Sequence, residues 1–425
     1  MKIGLYFDDK SYIGKDFRNP ENGNPGIGGT PFCFLMLAKY YSEAFPNDEL
    51  FFFHEANNTQ NNFSERYKVV TLCPDKIADK CICEGIDLLV LTLARYSQLA
   101  SLLEEKGIKC VVWVHNFLTY NSLLLLRRSN SATRIVFVGK EQYDRYIDDP
   151  IICKSVCIMN MFNTDCQEYK RIDTKTRIVT YTGAIVPSKG FHYIAKYWKR
   201  ILKEVPDAEL YVMGTGALYN NNAKLGKFGI AEESYENKFM KYLLNEKGVI
   251  IPSVHFLGVV GPEKIYYYQR TRLGIINPTA RTEICPISAL EMASCEIPIV
   301  SRNRNGMLDV IINGKTGILV NNSRAFCKVV IRLLQDDDLN IKYGNAAKSF
   351  VSKKFNPYDI VSEWHKLFRD TLNDQLPNYQ KPIANFDNNY KYLRWVNRKV
   401  REIPYMGWIP SIALLECKAK SILKL

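Results

Sequence analysis

Two glutamates eight positions apart, Glu283 and Glu291, stand on either side of a predicted loop-to-helix junction. Apolar residues 273–277 predict a buried strand, so Glu283 falls in the loop after it and Glu291 on the helix that follows. Pro286 suits the first turn of that helix, where a missing N–H is no loss. Free N–H groups at such a helix start attract anions. One carboxylate for sugar hydroxyls, open amides for a phosphate and a second carboxylate for a ribose would together hold a nucleotide sugar.

A third candidate group is Lys189, which follows the strand predicted over residues 177–182 and stands just before a predicted helix. A lysine there can neutralise a leaving diphosphate with help from the helix N-terminus. The alternative is a solvated lysine in an N-terminal turn. Gly183 lies in the same loop, and Gly214 and Gly216 follow the next strand, where glycine lets a backbone approach a ligand closely.

The N-terminal part of the chain offers a strand-end histidine and a glycine loop. His115 ends the apolar strand predicted over residues 110–115 and can face a cleft, although a single histidine is more often structural. Gly28 and Gly29 open a predicted helix, with a flexible turn as the alternative. Neither this loop nor the glycine pair after the later strand has the third glycine of a dinucleotide fingerprint, which argues against a nicotinamide enzyme.

No metal site is predicted. The Asp-x-Asp of residues 336–338, a pattern used by metal-dependent transferases, follows a helical segment and is interpreted as a solvated cap. Twelve cysteines without a predicted signal peptide indicate reduced thiols in a cytosol, and the cluster of Cys73, Cys81 and Cys83 lacks a Cys-x-x-Cys pair. No apolar segment reaches the roughly 18–20 residues of a spanning helix.

The order of elements predicts an α/β architecture. Continuous apolar strands alternate with helices, which indicates parallel sheets covered on both faces. We predict two doubly wound, Rossmann-like domains facing a central cleft, over residues 1–170 and 171–355, with a terminal segment over 356–425. Polar residues 164–176 are the predicted linker, and residues 218–251 are interpreted as an insertion.

The formal net charge of +13 favours polyanionic partners. Residues 386–425 hold eight basic residues and three acidic ones, with tryptophans and tyrosines between them. A basic helix with aromatic residues suits an anionic membrane surface; the alternative is a terminal helix packed on the protein. No nucleic-acid-binding module is recognised, so no nucleic acid partner is predicted.

These motifs resemble the family 4 retaining glycosyltransferases of the GT-B fold. The likeness covers about residues 1–372 and is strongest over 177–322. The Glu-x7-Glu motif of that family corresponds to Glu283 and Glu291. Ala184 stands where that family has an arginine, and Pro286 where it usually has a glycine. The other matching positions are Gly28-Gly29, His115, Asn160, Gly183, Lys189-Gly190, Gly214 to Gly216, Phe256 to Gly258, Asn313 to Val320 and residues 356–372.

The resemblance implies an enzyme that moves a sugar from a nucleoside diphosphate to an acceptor hydroxyl and keeps the anomeric configuration. Glu283 would hold the donor sugar, Glu291 the ribose, and Lys189 the diphosphate. His115 would contact the sugar or acceptor from the N-terminal, acceptor-side domain. The backbone groups assigned to the donor are those of Gly28, Gly29, Gly183, Gly214, Gly216, Ile284, Cys285 and Ile287. The helix after residue 356 would pack back onto the first domain.

The expected donor is a UDP- or GDP-sugar, and neither a metal nor a cofactor is expected. With the basic tail, the resemblance suggests a hexosyltransferase, or a related enzyme, that acts on a glycan or lipid-linked glycan acceptor in capsule or lipopolysaccharide synthesis. Such an enzyme would be cytoplasmic and peripheral at the inner face of the plasma membrane. Two alternatives remain: a sugar-nucleotide epimerase of the same fold, and a degenerate glycosyltransferase-like partner in a membrane-associated glycan-synthesis complex.

Overall fold

The computed structural model describes residues 1–9, 12, 14–55, 62–164, 170–217, 224–378, 382 and 388–423. The chain divides into two compact units. Unit 1 contains residues 1–21, 29–161 and 357–425, and unit 2 contains residues 22–28 and 162–356. Parts of the predicted linker (165–169), of the insertion (218–223) and of the tail (386, 387, 424 and 425) lie outside the described residues.

Strands and helices alternate along both units. The strands are β1 (Lys2–Tyr6), β2 (Glu49–Glu55), β3 (Lys68–Leu72), β4 (Leu88–Thr92), β5 (Cys110–Val114), β6 (Ala132–Phe137), β7 (Ser155–Cys157), β8 (Ile178–Thr182), β9 (Glu209–Met213), β10 (Val254–Gly258), β11 (Leu273–Ile275), β12 (Ile299–Arg302) and β13 (Gly317–Val320). The helices are α1 (Gly29–Ala44), α2 (Ile77–Glu84), α3 (Leu93–Glu105), α4 (Tyr120–Arg128), α5 (Lys140–Asp144), α6 (Phe191–Glu204), α7 (Glu233–Met240), α8 (Lys264–Tyr268), α9 (Ile287–Ser294), α10 (Met307–Val310), α11 (Ser323–Gln335), α12 (Asp337–Lys354), α13 (Pro357–Leu372), α14 (Lys391–Arg401) and α15 (Ile412–Ile422).

Unit 1 is built on a seven-stranded parallel sheet in the order β3-β2-β1-β4-β5-β6-β7. Every residue of β5, the run Cys-Val-Val-Trp-Val, is buried, as expected of a strand covered by helices on both faces. The strand order reverses direction between β1 and β4. In doubly wound sheets, a ligand crevice forms at such a switch point, beyond the carboxyl ends of the strands.

Unit 2 repeats this architecture with six parallel strands in the order β10-β9-β8-β11-β12-β13. Its switch point lies between β8 and β11, so the loops that follow these two strands share one edge of the sheet. The prediction of two doubly wound, Rossmann-like sheets is confirmed. Residues 22–28, which the sequence assigned to the first domain, group with unit 2. A loop has no apolar periodicity that would show in advance where it packs.

The C-terminal helices pack on unit 1. Helix α13 lies against α1, where Tyr41 contacts Phe368 and His365 stacks on Phe45 with ring centroids 3.8 Å apart. In α14, Lys391 and Arg394 are fully buried, so the expectation that the basic residues of the tail face a membrane is wrong for these two. Within the described residues, no helix is both long and apolar enough to cross a bilayer.

Candidate functional site

The loops after β8 and β11 meet at the switch point of unit 2. Lys189 ends a short 3-10 turn, Pro187–Lys189, directly before α6. The hydroxyl of Thr279, in the other loop, donates a hydrogen bond to the carbonyl of Ser188 at 2.7 Å. Gly190 joins the turn to the helix at φ 73°, and a Cβ there would lie 2.5 Å from Thr279 Cγ2. Only glycine suits this position, because the backbone is left-handed and a Cβ would clash with Thr279.

At this meeting point Lys189 forms an ion pair with Glu283. The two side chains are 18% and 9% exposed, so the pair is largely but not completely shielded from water. Asn277 Nδ2 also donates to Glu283 Oε1, at 3.0 Å. The structure thus brings together two of the residues that the sequence selected. A shielded carboxylate and ammonium at a strand edge can bind hydroxyl groups and an anion respectively.

The loop that carries Glu283 has an unusual backbone conformation. Asn277 and Ala280 adopt positive φ values of 32° and 50°. The side-chain oxygen of Asn277 accepts hydrogen bonds from the N–H groups of Thr279 and Ala280, at 3.1 and 3.0 Å. Asn305 Nδ2 donates to the Ala280 carbonyl at 2.9 Å. Left-handed conformations of non-glycine residues cost about 1–3 kcal/mol each and persist only where the surroundings enforce them, which is common at functional sites.

Helix α9 begins beside this loop without a side-chain cap among the described residues. Pro286 is the N-cap, with extended ψ of 118°, so its predicted place in the first turn is wrong by one position. An extended backbone is the usual conformation of an N-cap residue. The first N–H groups of any α-helix lack partners inside the helix, and here those of Ile287 and Ser288 begin it. Ile284, Cys285 and Ile287 have buried side chains, so any contact with an anion comes from their backbone.

Glu291 pairs with a different lysine, which the sequence analysis missed. Lys264 Nζ, at the start of α8, lies 2.5 Å from Glu291 Oε1, and the two side chains are 11% and 2% exposed. The Tyr268 hydroxyl lies 3.5 Å from the other Glu291 oxygen and donates to Thr182 at 3.0 Å, which ties α8 to the end of β8. Lys264 follows β10 as Lys189 follows β8. A lysine in the segment after a predicted strand could therefore have been selected as a candidate from the sequence.

The predicted donor-binding glycines that follow β8 and β9, namely Gly183, Gly214 and Gly216, have their N–H groups engaged inside the protein. Gly183 donates to the carbonyl of Met213, Gly214 to Gly258, and Gly216 to Ile230, at 2.7–3.0 Å. A Cβ on Gly214 would lie 2.0 Å from the Gly183 carbonyl oxygen. These glycines therefore allow neighbouring loops to pack closely, and their backbone N–H groups are not open to a phosphate. Ala184, where the resemblance expects an arginine, is 1% exposed.

Unit 1 has a pocket of about 510 Å³ at its own switch point. His115 lines it and lies against Trp113, with ring centroids 4.7 Å apart. Burial lowers the pKa of His115 to about 3, so its imidazole is neutral near pH 7. Its Nε2 is buried without a hydrogen-bond partner among the described residues. Gly29 is the first residue of α1, and Gly28 directly precedes it.

The rest of this pocket is aromatic and hydroxylic. Phe34 and Trp113 form part of its wall, with Thr30 and Ser97 among its hydroxyl groups. Asp8 is its charged group, and no lysine or arginine is found among the described residues that line it. Aromatic faces with a few hydroxyls suit an uncharged, hydroxyl-bearing ring better than an anion. Separately, Asp336 caps α12 by accepting from the Leu339 N–H at 2.9 Å, which confirms the cap interpretation.

Residues 164–350 match the family model described as Glycosyl transferases group 1. This part of the chain is a group 1 glycosyltransferase domain. It includes Lys189, Glu283, Glu291 and Lys264, whereas His115 lies outside the matched residues.

Two curated relatives match over a similar length. The capsular polysaccharide biosynthesis glycosyltransferase CapM of Staphylococcus aureus is 23% identical over 210 residues, which cover 49% of this chain and 50% of CapM. The D-inositol 3-phosphate glycosyltransferase of Corynebacterium jeikeium is 25% identical over 201 residues, 47% of this chain and 45% of the relative. The chain thus spans about half the length of the curated relatives that it matches.

Solved structures extend the likeness to both units. Anabaena HepE, in complex with UDP and glucose, is 15% identical with a TM-score of 0.64 over 87% of this chain and 100% of HepE. A sucrose-phosphate synthase from Thermosynechococcus elongatus is 14% identical with a TM-score of 0.67 over 88% and 100% of the two chains. At these identities the likeness shows the fold alone, and that fold is GT-B.

Proposed function

We propose that the protein is a retaining glycosyltransferase that moves a sugar from a nucleoside-diphosphate sugar to a glycan hydroxyl. The observation that carries this proposal is the Lys189–Glu283 ion pair at the switch point of a group 1 domain, beside the start of α9. Such a pair supplies an ammonium for the donor diphosphate and a carboxylate for the donor sugar. HepE, a GT-B neighbour, has been crystallised with UDP and glucose, which supports a UDP-sugar as the first donor to test.

The proposed chemistry depends on charge that develops as the sugar–phosphate bond breaks. Negative charge grows on the diphosphate, where Lys189 and the first N–H groups of α9 stabilise it. Positive charge grows on the sugar, whose hydroxyls Glu283 holds in place. Glu291 holds the ribose. Ala184 stands where the family has an arginine, and Lys264, which pairs with Glu291, adds a second cation to the same domain. With these groups taking up the phosphate charge, we propose that no divalent metal is needed.

In unit 1 we assign the pocket around His115 to the acceptor. The neutral imidazole can form one hydrogen bond with a sugar hydroxyl. Its low pKa means that it carries no charge near pH 7. An acceptor that ends in an uncharged sugar fits the aromatic lining. The capsular name of CapM supports surface polysaccharide, with a lipid-linked glycan at the inner membrane face as the proposed acceptor.

The direct test is a screen of UDP- and GDP-sugars for donor hydrolysis, transfer to glycan acceptors, and thermal stabilisation of the protein. We expect one nucleotide class to raise the melting temperature and its sugar to be transferred with retained anomeric configuration. Release of an isomerised sugar without an acceptor would instead indicate the epimerase. Nucleotide binding without turnover of any donor would favour the degenerate partner, which the buried Ala184 motivates.

The assignment of Glu291 to the ribose predicts that a Glu291 variant distinguishes poorly between ribonucleotides and 2′-deoxyribonucleotides. Wild-type protein should bind the ribonucleoside diphosphate about tenfold more tightly than its 2′-deoxy form, since a site built for a hydroxyl rejects a ligand that lacks it. Glu291→Gln should weaken ribonucleotide binding and remove most of this difference, as measured by calorimetry. The exposed Glu246→Gln variant of the same unit is the matched control. If Glu291→Gln still prefers the ribonucleotide as strongly as the wild type does, the Glu291 carboxylate pairs with Lys264 and does not bind the ribose.

A further inference from the structure

Helix α14 presents its charged side inward. Lys391 and Arg394 are completely buried in unit 1. The Lys391 ammonium contacts the carboxylates of Glu141 and Asp144, the latter at 3.1 Å. The guanidinium of Arg394 contacts Glu416 of α15 at 2.5 Å. These two positive charges are therefore neutralised inside the protein and are not available to an external anion.

The side of α14 that faces solvent carries large apolar residues together with Lys399. Tyr392, Leu393 and Trp395 are 58%, 54% and 37% exposed. This reverses the usual pattern, in which a surface helix buries its apolar face and presents its charged face to water. Leaving this much apolar area in water forgoes the stabilisation that burial would provide. The arrangement is physically reasonable if another apolar phase covers the helix.

The turn that follows α14 continues the exposed apolar residues. Ile403, Tyr405 and Trp408 are 52%, 96% and 78% exposed. Tyr405 has a φ of 70°, a left-handed conformation that is costly for a tyrosine, and the turn is closed by a hydrogen bond from the Met406 N–H to the Ile403 carbonyl at 3.0 Å. The turn thus holds a large aromatic side chain fully in solvent at a conformational cost.

We name these six side chains the aromatic surface: Tyr392, Leu393, Trp395, Ile403, Tyr405 and Trp408. Three lysines of the same segment are exposed, namely Lys399, Lys418 and Lys420. Lys399 and Lys420 each pair with a neighbouring glutamate, at 2.7 Å in both cases. The exposed charge of the segment is therefore modest and positive, which complements an anionic surface.

We propose that the aromatic surface inserts into the interfacial region of an anionic lipid bilayer. Tryptophan and tyrosine favour the headgroup level, where an apolar ring and a polar tip are both satisfied. The proposal rests on the proposed function only in that a lipid-linked acceptor would lie at the same bilayer. It changes the mechanism expected from the sequence, because apolar insertion supplies most of the binding and the lysines supply a smaller, salt-sensitive share.

The test uses the full chain and vesicles of phosphatidylcholine with and without phosphatidylglycerol. Wild-type protein should sediment with the anionic vesicles and keep most of this binding at about 1 M salt, where the Debye length is about 3 Å. Tyr405→Ser/Trp408→Ser should lower the partition coefficient about tenfold or more, since it removes two inserting rings. Both side chains are exposed, so the variant should retain the melting temperature of the wild type.

Two controls make the result specific. Leu376→Ser removes an equally exposed apolar side chain, 71% exposed, from outside the aromatic surface and should bind vesicles as the wild type does. Three of the five tryptophans, Trp113, Trp198 and Trp364, are fully buried, so a vesicle-induced blue shift of emission reports on Trp395 and Trp408. Replacing these two by phenylalanine should abolish the shift.

Several outcomes would overturn the proposal. The aromatic surface would be excluded as the bilayer-binding surface if the wild type does not bind vesicles. The same conclusion would follow if the Tyr405→Ser/Trp408→Ser variant binds them as fully as the wild type. Self-association of the wild type that the double variant abolishes would assign the surface to a second copy of the chain. Donor hydrolysis should be unchanged in the double variant, so loss of vesicle binding and failure of the proposed activity are separate results.

Discussion

Replacement of Lys189 by alanine is expected to lower kcat/KM for the donor about 100- to 1,000-fold, the usual cost of removing one group that stabilises transition-state charge. The ammonium lies at the start of α6 and contacts Glu283, so both its position and its counter-ion are fixed. Lys203→Ala, an exposed lysine at the other end of α6, is the matched control and should be neutral. Steady-state kinetics with the donor found by screening measure the effect.

The same substitution leaves the Glu283 carboxylate without its cation. Because the pair is 18% and 9% exposed, we expect a loss of stability of about 1–3 kcal/mol. Lys189→Met combined with Glu283→Gln removes both charges and should recover most of that stability. It should not recover activity. If turnover returns together with stability in the double variant, the pair is only structural.

Replacement of Gly306 by alanine is expected to destabilise unit 2 by about 3 kcal/mol or more and to abolish donor binding. A Cβ at this position would lie 1.6 Å from the backbone oxygen of Ile284 and 2.5 Å from its Cα. The atoms in the way belong to the backbone, so no rotamer change relieves the clash, and overpacking of this kind costs at least about 1–3 kcal/mol. The Gly306 N–H also donates to the Glu283 carbonyl at 3.1 Å, so the displaced segment carries the candidate site.

A matched control separates crowding from backbone strain. Gly314 has a φ of 74°, and a Cβ there would meet no described atom within 4 Å, so Gly314→Ala should cost only about 1 kcal/mol. Urea denaturation monitored by fluorescence gives both values, and thermal shift with nucleotide reports donor binding. A Gly306→Ala variant no less stable than Gly314→Ala would mean that the Ile284 segment relaxes freely and is not fixed by this contact.

Much of the candidate site followed from local sequence. Lys189 and Glu283 each lie in the segment that follows a buried apolar strand, and strands of a parallel sheet present their carboxyl ends at one edge. The alternation of apolar segments and helices was enough to predict two doubly wound sheets. The interpretation of Asp336 as a cap also required only the residues that follow it, since capping is a local hydrogen bond.

Other features depended on long-range contacts. Glu291 was predicted as a ribose ligand, but its pairing with Lys264 requires α8 and α9 to lie side by side, which no spacing in the chain reveals. The glycines after β8 and β9 have a pattern that also suits ligand binding. Only the packing of Gly183 against Gly214 shows that their N–H groups serve neighbouring loops.

By itself, the sequence determined the α/β class, the strand-end positions of Lys189, Glu283 and His115, and the basic and aromatic composition of the tail, because each is a property of residues close together in the chain. Tertiary structure alone decided which side of α14 faces inward. Lys391 is paired inside the protein with the carboxylates of Glu141 and Asp144, which lie far earlier in the chain. Their negative charge attracts the basic side of α14 to the protein. Periodicity defines two faces of a helix, but the surface against which the helix packs determines which of them meets water.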